Sequence, residues 1–211
     1  MKFRFALGGC VVLLAVGALL FSTLGTPPDV YQPAIARRAV GAPLCPWRQP
    51  KADMQAFFPT ATRFETRVAI LSSMLGSLRA RLGRWPAPEE NPIYVHYVFA
   101  GPRLLGRVAV QRVRGQFGAI EVVIGVNESG QVRGVHLQRL REPAAISRAL
   151  LSQPWLSSLC GKTSRDAFRL GADVPQITPG ARTSARAVLK GVRSSLILLE
   201  AARELDATNH R

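Results

Sequence analysis

The residues Ile177-Thr178-Pro179-Gly180-Ala181-Arg182-Thr183-Ser184 put a tight glycine turn and two hydroxyls directly before a helical stretch. A helix start offers free backbone N–H groups and the positive end of the helix dipole, and the Arg182 guanidinium adds a forked cation. These groups would converge on a phosphate, so the chemistry on offer is anion binding. The plainer use of the same residues is helix capping by Thr183 or Ser184, with Gly180 needed only for the turn. The residues alone leave both uses open.

Other chemistry is thin. Gly161-Lys162-Thr163 resembles the end of a phosphate loop, but that motif needs a glycine five positions before Gly161, and Leu156 stands there. No Gly-x-Ser-x-Gly elbow occurs. His96, His136 and His210 are the only histidines, and none stands at metal-ligand spacing from another His or a Cys, which argues against a zinc or histidine-rich haem site. His96 and His136 fall in strand-like runs, where a hydrogen-bonded structural role is expected.

The elements that must position these residues follow from periodicity. A short helix is expected at Lys51 to Phe58, closed by Pro59, then a strand at Arg63 to Leu71. Leu75, Leu78 and Leu82 recur at helical spacing up to Gly83. Ile93 to Ala100, Leu105 to Val113 and Ile120 to Val126 read as strands, the last with Ile120, Val122, Ile124 and Val126 on one face. Asn127-Glu128-Ser129-Gly130 is a turn signal, and Gln131 to Leu140 returns as the hairpin partner, making an antiparallel meander. After Pro143 a helix is expected to Ser152, then a short apolar turn from Trp155 to Leu159. The chain closes with a strong helix from Ser184 to about Asp206, with Val188, Val192, Leu196 and Leu199 on one stripe and Arg186, Lys190, Arg193 and Arg203 facing away. This order of elements is an α+β layout, with no internal repeat.

The 211 residues are one domain's worth of chain, and 47% hydrophobic content is enough to bury a core, which excludes a disordered basic tail. The first 24 residues differ from the rest. Phe5 to Leu24 carries no charge, and twenty helical residues span about 30 Å, the hydrocarbon thickness of a bilayer. Lys2 and Arg4 precede this run and the next basic residues are Arg37 and Arg38, so the positive-inside rule places the N-terminus in the cytoplasm and the remainder outside. The expectation is a transmembrane anchor over residues 1–24, with a cleaved signal peptide as the rival; a linker over 25–44, stiffened by Pro27, Pro28, Pro33 and Pro43; and a domain over 45–211.

Of the 28 basic residues, setting aside Lys2 and Arg4 leaves 26 against 13 acidic, a net of +13. Outside the membrane this excludes genomic DNA, so no nucleic acid is expected as a partner. Anionic headgroups, an acidic protein or a phosphorylated ligand remain, beside a merely solvated arginine-rich surface. An oxidising compartment would permit Cys45 and Cys160 to pair.

Several landmarks occur in a telling order: Ala56-Phe57-Phe58-Pro59-Thr60-Ala61, Gly118 to Val126, Ser129-Gly130-Gln131-Val132-Arg133-Gly134-Val135, Glu142, Gly161-Lys162, and Pro179 to Ser184. In this order the chain resembles the FMN-binding domains of the Rnf electron-transport complex, the C subunit of the sodium-pumping NADH:quinone oxidoreductase, and the nitrous-oxide respiration regulators. The resemblance spans most of residues 53 to 195. It implies an FMN-binding-type α+β domain behind one membrane helix, on the periplasmic side of the inner membrane.

It further implies a flavoprotein in electron transport, a subunit among others of a membrane redox complex rather than a stand-alone catalyst, with no catalytic residue and no metal of its own. Gly180, Ala181, Arg182, Thr183 and Ser184 would hold the FMN phosphate, Lys162 would add charge, and Glu142 would contact the ring or ribityl chain. Two departures matter. Where covalent members esterify a threonine to the phosphate, this chain has Arg182, which forms no ester, and Glu142 is followed by Pro143 rather than leading into a glycine turn. Three readings follow: Thr183 used in a shifted register, FMN held non-covalently by Arg182, or a flavin-free domain serving as a structural or assembly subunit.

Overall fold

The computed structural model describes residues 50–209. The apolar N-terminal run, the proline-rich spacer and Cys45 lie outside them. Among the described residues no helix is long and apolar enough to cross a membrane.

Five strands form one antiparallel sheet in sequence order: β1 (Arg63–Ala69), β2 (Ile93–Ala100), β3 (Arg103–Arg114), β4 (Ala119–Asn127) and β5 (Val132–Leu140). The expected meander is present, extended on one side by β1. The β4–β5 hairpin closes where the turn signal stands: Gly130 adopts φ 85°, and the Asn127 side chain accepts the Gln131 N–H at 2.9 Å. Strand β4 is buried on both faces. Ile120, Val122, Ile124 and Val126 enter the main core, while Val123 faces a smaller one.

The main core lies under α5 (Arg182–Asn209), a 28-residue helix laid against β3 and β4. Val188, Val192, Leu196 and Leu199 are buried there as the stripe predicts. Helices α2 (Leu75–Leu82), α3 (Ala144–Leu150) and α4 (Gln153–Ser157) complete this layer. Gly83, at φ 69°, caps α2 in the left-handed conformation. The α4 segment differs from the expected turn: Pro154 sits in its first turn, where a fixed φ favours helix and the missing N–H costs nothing. Helix α5 starts two residues early, because the 3₁₀ turn Pro179–Ala181 runs straight into it.

The opposite face carries α1 (Lys51–Phe57), whose Met54 and Phe57, with Phe58, pack on Val98, Val108 and Val123. This packing explains two of the landmark glycines. Gly125 and Gly134 are cross-strand partners, and the Phe57 ring lies on both, so that a Cβ would stand 2.6 Å from it at Gly125 and 2.4 Å at Gly134. Asp53, also buried, engages the His136 Nδ1 at 2.8 Å and accepts from the Gln138 amide. His96 bonds Thr66 at 2.8 Å. Both strand histidines thus have hydrogen-bonded structural places, and burial holds the His96 pKa below its ordinary value.

Candidate functional site

At one end of the sheet, Gly115-Gln116-Phe117-Gly118 turns β3 into β4, closed by the Gly115 N–H donating to the Gly118 carbonyl at 2.8 Å. The chain leaving β5 folds Glu142 back over this turn. The Glu142 Oε1 accepts the Phe117 N–H at 3.3 Å and the Ser184 hydroxyl at 2.9 Å, and Ser184 Oγ in turn accepts the Gln116 N–H at 2.9 Å. The fit is close enough that a Cβ at Gly115 would lie 2.0 Å from Glu142 Oε1. Two of the expected site residues, Glu142 and Ser184, are therefore in direct contact.

Ser184 serves here as a tie between three segments and not as a helix cap. Thr183 is exposed and makes no side-chain hydrogen bond with the described residues. Ala181 is buried, while Gly180 and Arg182 are exposed at the same end. The second Glu142 oxygen, Oε2, is buried and has no hydrogen-bond partner. Leaving such an acceptor unsatisfied costs about 1–3 kcal/mol, and an N–H or O–H of a ligand would relieve it. Phe117, at the tip of the turn, is a large aromatic side chain left 60% exposed.

The first turn of α5 contains no acidic residue. Arg182 stands there instead, a cation at the positive end of the dipole, an arrangement unfavourable by about 0.3–1 kcal/mol and relieved by a bound anion. Arg182, Arg186, Lys190 and Arg193 recur at helical spacing and so form one stripe, none within ion-pair distance of a described carboxylate. Beside it a groove of about 400 Å³ opens between residues 167–170 and α5, with Phe168, Leu170 and Leu189 among its walls.

Lys162 is held elsewhere. Its carbonyl accepts the Val132 N–H, at the opposite end of β5 from Glu142, and its ammonium lies 3.9 Å from Asp173 and 6.0 Å from the Phe168 ring centroid, with the side chain 14% exposed. Three backbone N–H groups, together with Lys162, offset burial and keep the Asp173 carboxyl below its ordinary range. Cys160 is exposed, its thiol 3.6 Å from the Arg133 carbonyl.

Sequence reasoning missed the 115–118 turn and Phe117. The available signal was the Gly115…Gly118 pair between two strands, where a bulky aromatic at a hairpin tip has no core to enter.

No family model matches the chain, and no curated protein does. Among solved structures, the crystal structure of NqrC from Shewanella oneidensis is similar over 72% of this chain and 88% of its own, at 14% identity and a TM-score of 0.47.

Proposed function

We propose that this protein is a membrane-anchored, FMN-binding electron carrier of an extracytoplasmic redox chain, working beside other subunits of a membrane complex. The observation that carries the reading is the buried, partnerless Glu142 Oε2 at the point where two sequence-distant landmarks, Glu142 and Ser184, meet the 115–118 turn. The residues there fit the cofactor. Arg182, Thr183 and the N–H groups of the first turn of α5 would hold the phosphate without a covalent bond, and Glu142 would accept from the ribityl chain or the ring. Phe117 would cover an apolar ring face. When bound, the isoalloxazine supplies one- and two-electron transfer, and the protein supplies position and electrostatics.

The test is a titration of the full-length chain with FMN, followed by flavin fluorescence. A charge-assisted contact is worth roughly 1.5–3 kcal/mol, so Arg182→Ala should weaken FMN binding about ten- to a hundred-fold. Riboflavin, which lacks the phosphate, should bind both forms equally weakly. Protein isolated without flavin and showing no saturable binding at millimolar FMN would transfer support to the second reading, a flavin-free structural or assembly subunit. That reading is favoured by one feature, the mutual engagement of Ser184, Glu142 and the Gln116 N–H, which knits the fold whether or not a ligand is present.

Topology belongs to the same proposal: N-terminus cytoplasmic, residues 45 to 211 periplasmic. Alkaline phosphatase fused after Arg211 should be active in cells. An inactive fusion, with a cytoplasmic reporter active at the same point, reverses the assignment.

A further inference from the structure

Strand register places Arg107 on the face of β3 that lies under α5, between Tyr97 on β2 and Val126 on β4. An arginine there is expensive. The residue is only 8% exposed, and its Nε is buried without a hydrogen-bond partner. No described carboxylate lies within ion-pair distance, and the guanidinium instead sits over the Tyr97 ring, 5.5 Å from its centroid. The acid on the same tyrosine and the acid on the same cavity wall are both already engaged. Asp206 accepts from the Tyr97 hydroxyl, and Glu200 takes Arg81 at 2.6 Å and the Ser164 hydroxyl at 2.6 Å, with Arg203 at 3.9 Å. Burial, reinforced by Asp206, pushes the Tyr97 pKa up to about 12 against the opposing charge and hydrogen bond of Arg107, so the phenol stays a neutral donor to Asp206 and the polar company of Arg107 is a phenol and not a carboxylate. A buried cation without a counter-ion is destabilising unless an anion joins it.

Arg107 lines a cavity of about 280 Å³ that has room for one. Arg165 and Arg203 stand on its wall, from the 163–165 loop and from α5, and Arg165 has no ion-pair partner among the described residues. Val126, Leu196 and Leu199 give it an apolar floor. Glu200 is also on the wall, but Arg81 neutralises it.

We propose that this cavity binds a small phosphorylated molecule, with the phosphoryl group on Arg107, Arg165 and Arg203. Three guanidinium forks arriving from a strand, a loop and a helix match the three oxygens of a tetrahedral phosphoryl group better than the two coplanar oxygens of a carboxylate. The volume leaves space for a few further atoms against the apolar floor. The site is separate from the Glu142–Ser184 cluster: Arg107 lies near the start of β3, and the 115–118 turn follows that strand's end.

The experiment is calorimetric titration of the full-length chain with inorganic phosphate and with glycerol 3-phosphate, using succinate as the dicarboxylate comparison. Each titration is repeated on Arg182→Ala protein, which silences the anion site proposed for FMN, so that failure of one proposal is not failure of the other. Saturable binding is expected for both phosphates, tighter than for succinate, and it should weaken by at least about ten-fold in Arg107→Met. Without phosphate, Arg107→Met should be no less stable to heat than the wild type, because an unpaired buried charge has been removed. Should that variant not fold, Arg165→Gln and Arg203→Gln, both at the cavity wall, are each expected to weaken phosphate severalfold. The proposal is overturned by absence of saturable binding at millimolar phosphate, by succinate binding as tightly as phosphate, or by undiminished affinity in the arginine variants.

Discussion

Arg84→Met should cost the folded protein about 3 kcal/mol at neutral pH, the usual result of removing the half-buried cation that neutralises a buried carboxylate. The stranded group is Glu90, only 4% exposed, at the end of the 3₁₀ turn that precedes β2. It accepts two hydrogen bonds from Arg84, each 2.7 Å, one from the Ala87 N–H at 2.7 Å and one from the Gln111 amide at 3.0 Å. Gln111 then accepts the Ser195 hydroxyl at 2.6 Å, so a single carboxylate links the loop, β3 and α5. Burial alone would raise the Glu90 pKa, but the Arg84 fork and the Ala87 N–H outweigh it and hold the carboxyl below its ordinary 4.5.

The sign of the pH dependence follows. A group with a lowered folded-state pKa stabilises above its unfolded pKa, and that stability is lost as pH falls through the folded value. The wild type should therefore lose this contribution below about pH 4.5, whereas in Arg84→Met the unpaired carboxyl protonates readily. The gap between the two proteins in urea denaturation should be widest near neutrality and close on acidification. A gap that is constant with pH would show that Arg84 acts through packing alone.

The elements were legible where one period ruled. Ile120, Val122, Ile124 and Val126 alternate because one face of β4 meets the main core, and the α5 stripe recurs because a helix on a sheet buries one side. What escaped was what depends on pairing between distant segments. Arg107 is one charged residue inside the expected strand, and only the register of β2, β3 and β4 puts it under α5. Ser184 reads as a cap, and only the return of the chain after β5 brings Glu142 to it across 42 positions. Lys162 and Glu142 are neighbours in the order of landmarks, yet they sit at opposite ends of β5, because the landmarks record chain order and not proximity.

The Phe57 landmark shows the same relation between order and proximity, and it sets up the second large effect. Phe57→Ala should destabilise the fold by about 3–5 kcal/mol, since it empties a buried site between α1 and the sheet. Gly134→Val should cost roughly 1–3 kcal/mol by the opposite error, because its Cβ would enter the Phe57 ring, and that ring also touches Gly125 on the neighbouring strand and packs in a tilted arrangement on His136, 4.6 Å between centroids. In the double variant the valine methyls occupy space the ring has left, and valine suits a strand better than glycine does. The double variant should thus be more stable than the sum of the two losses predicts, by about 1–3 kcal/mol, measured by urea denaturation of all four proteins as a closed cycle. Strict additivity would mean that the glycines are required by the backbone alone and not by the phenylalanine that lies on them.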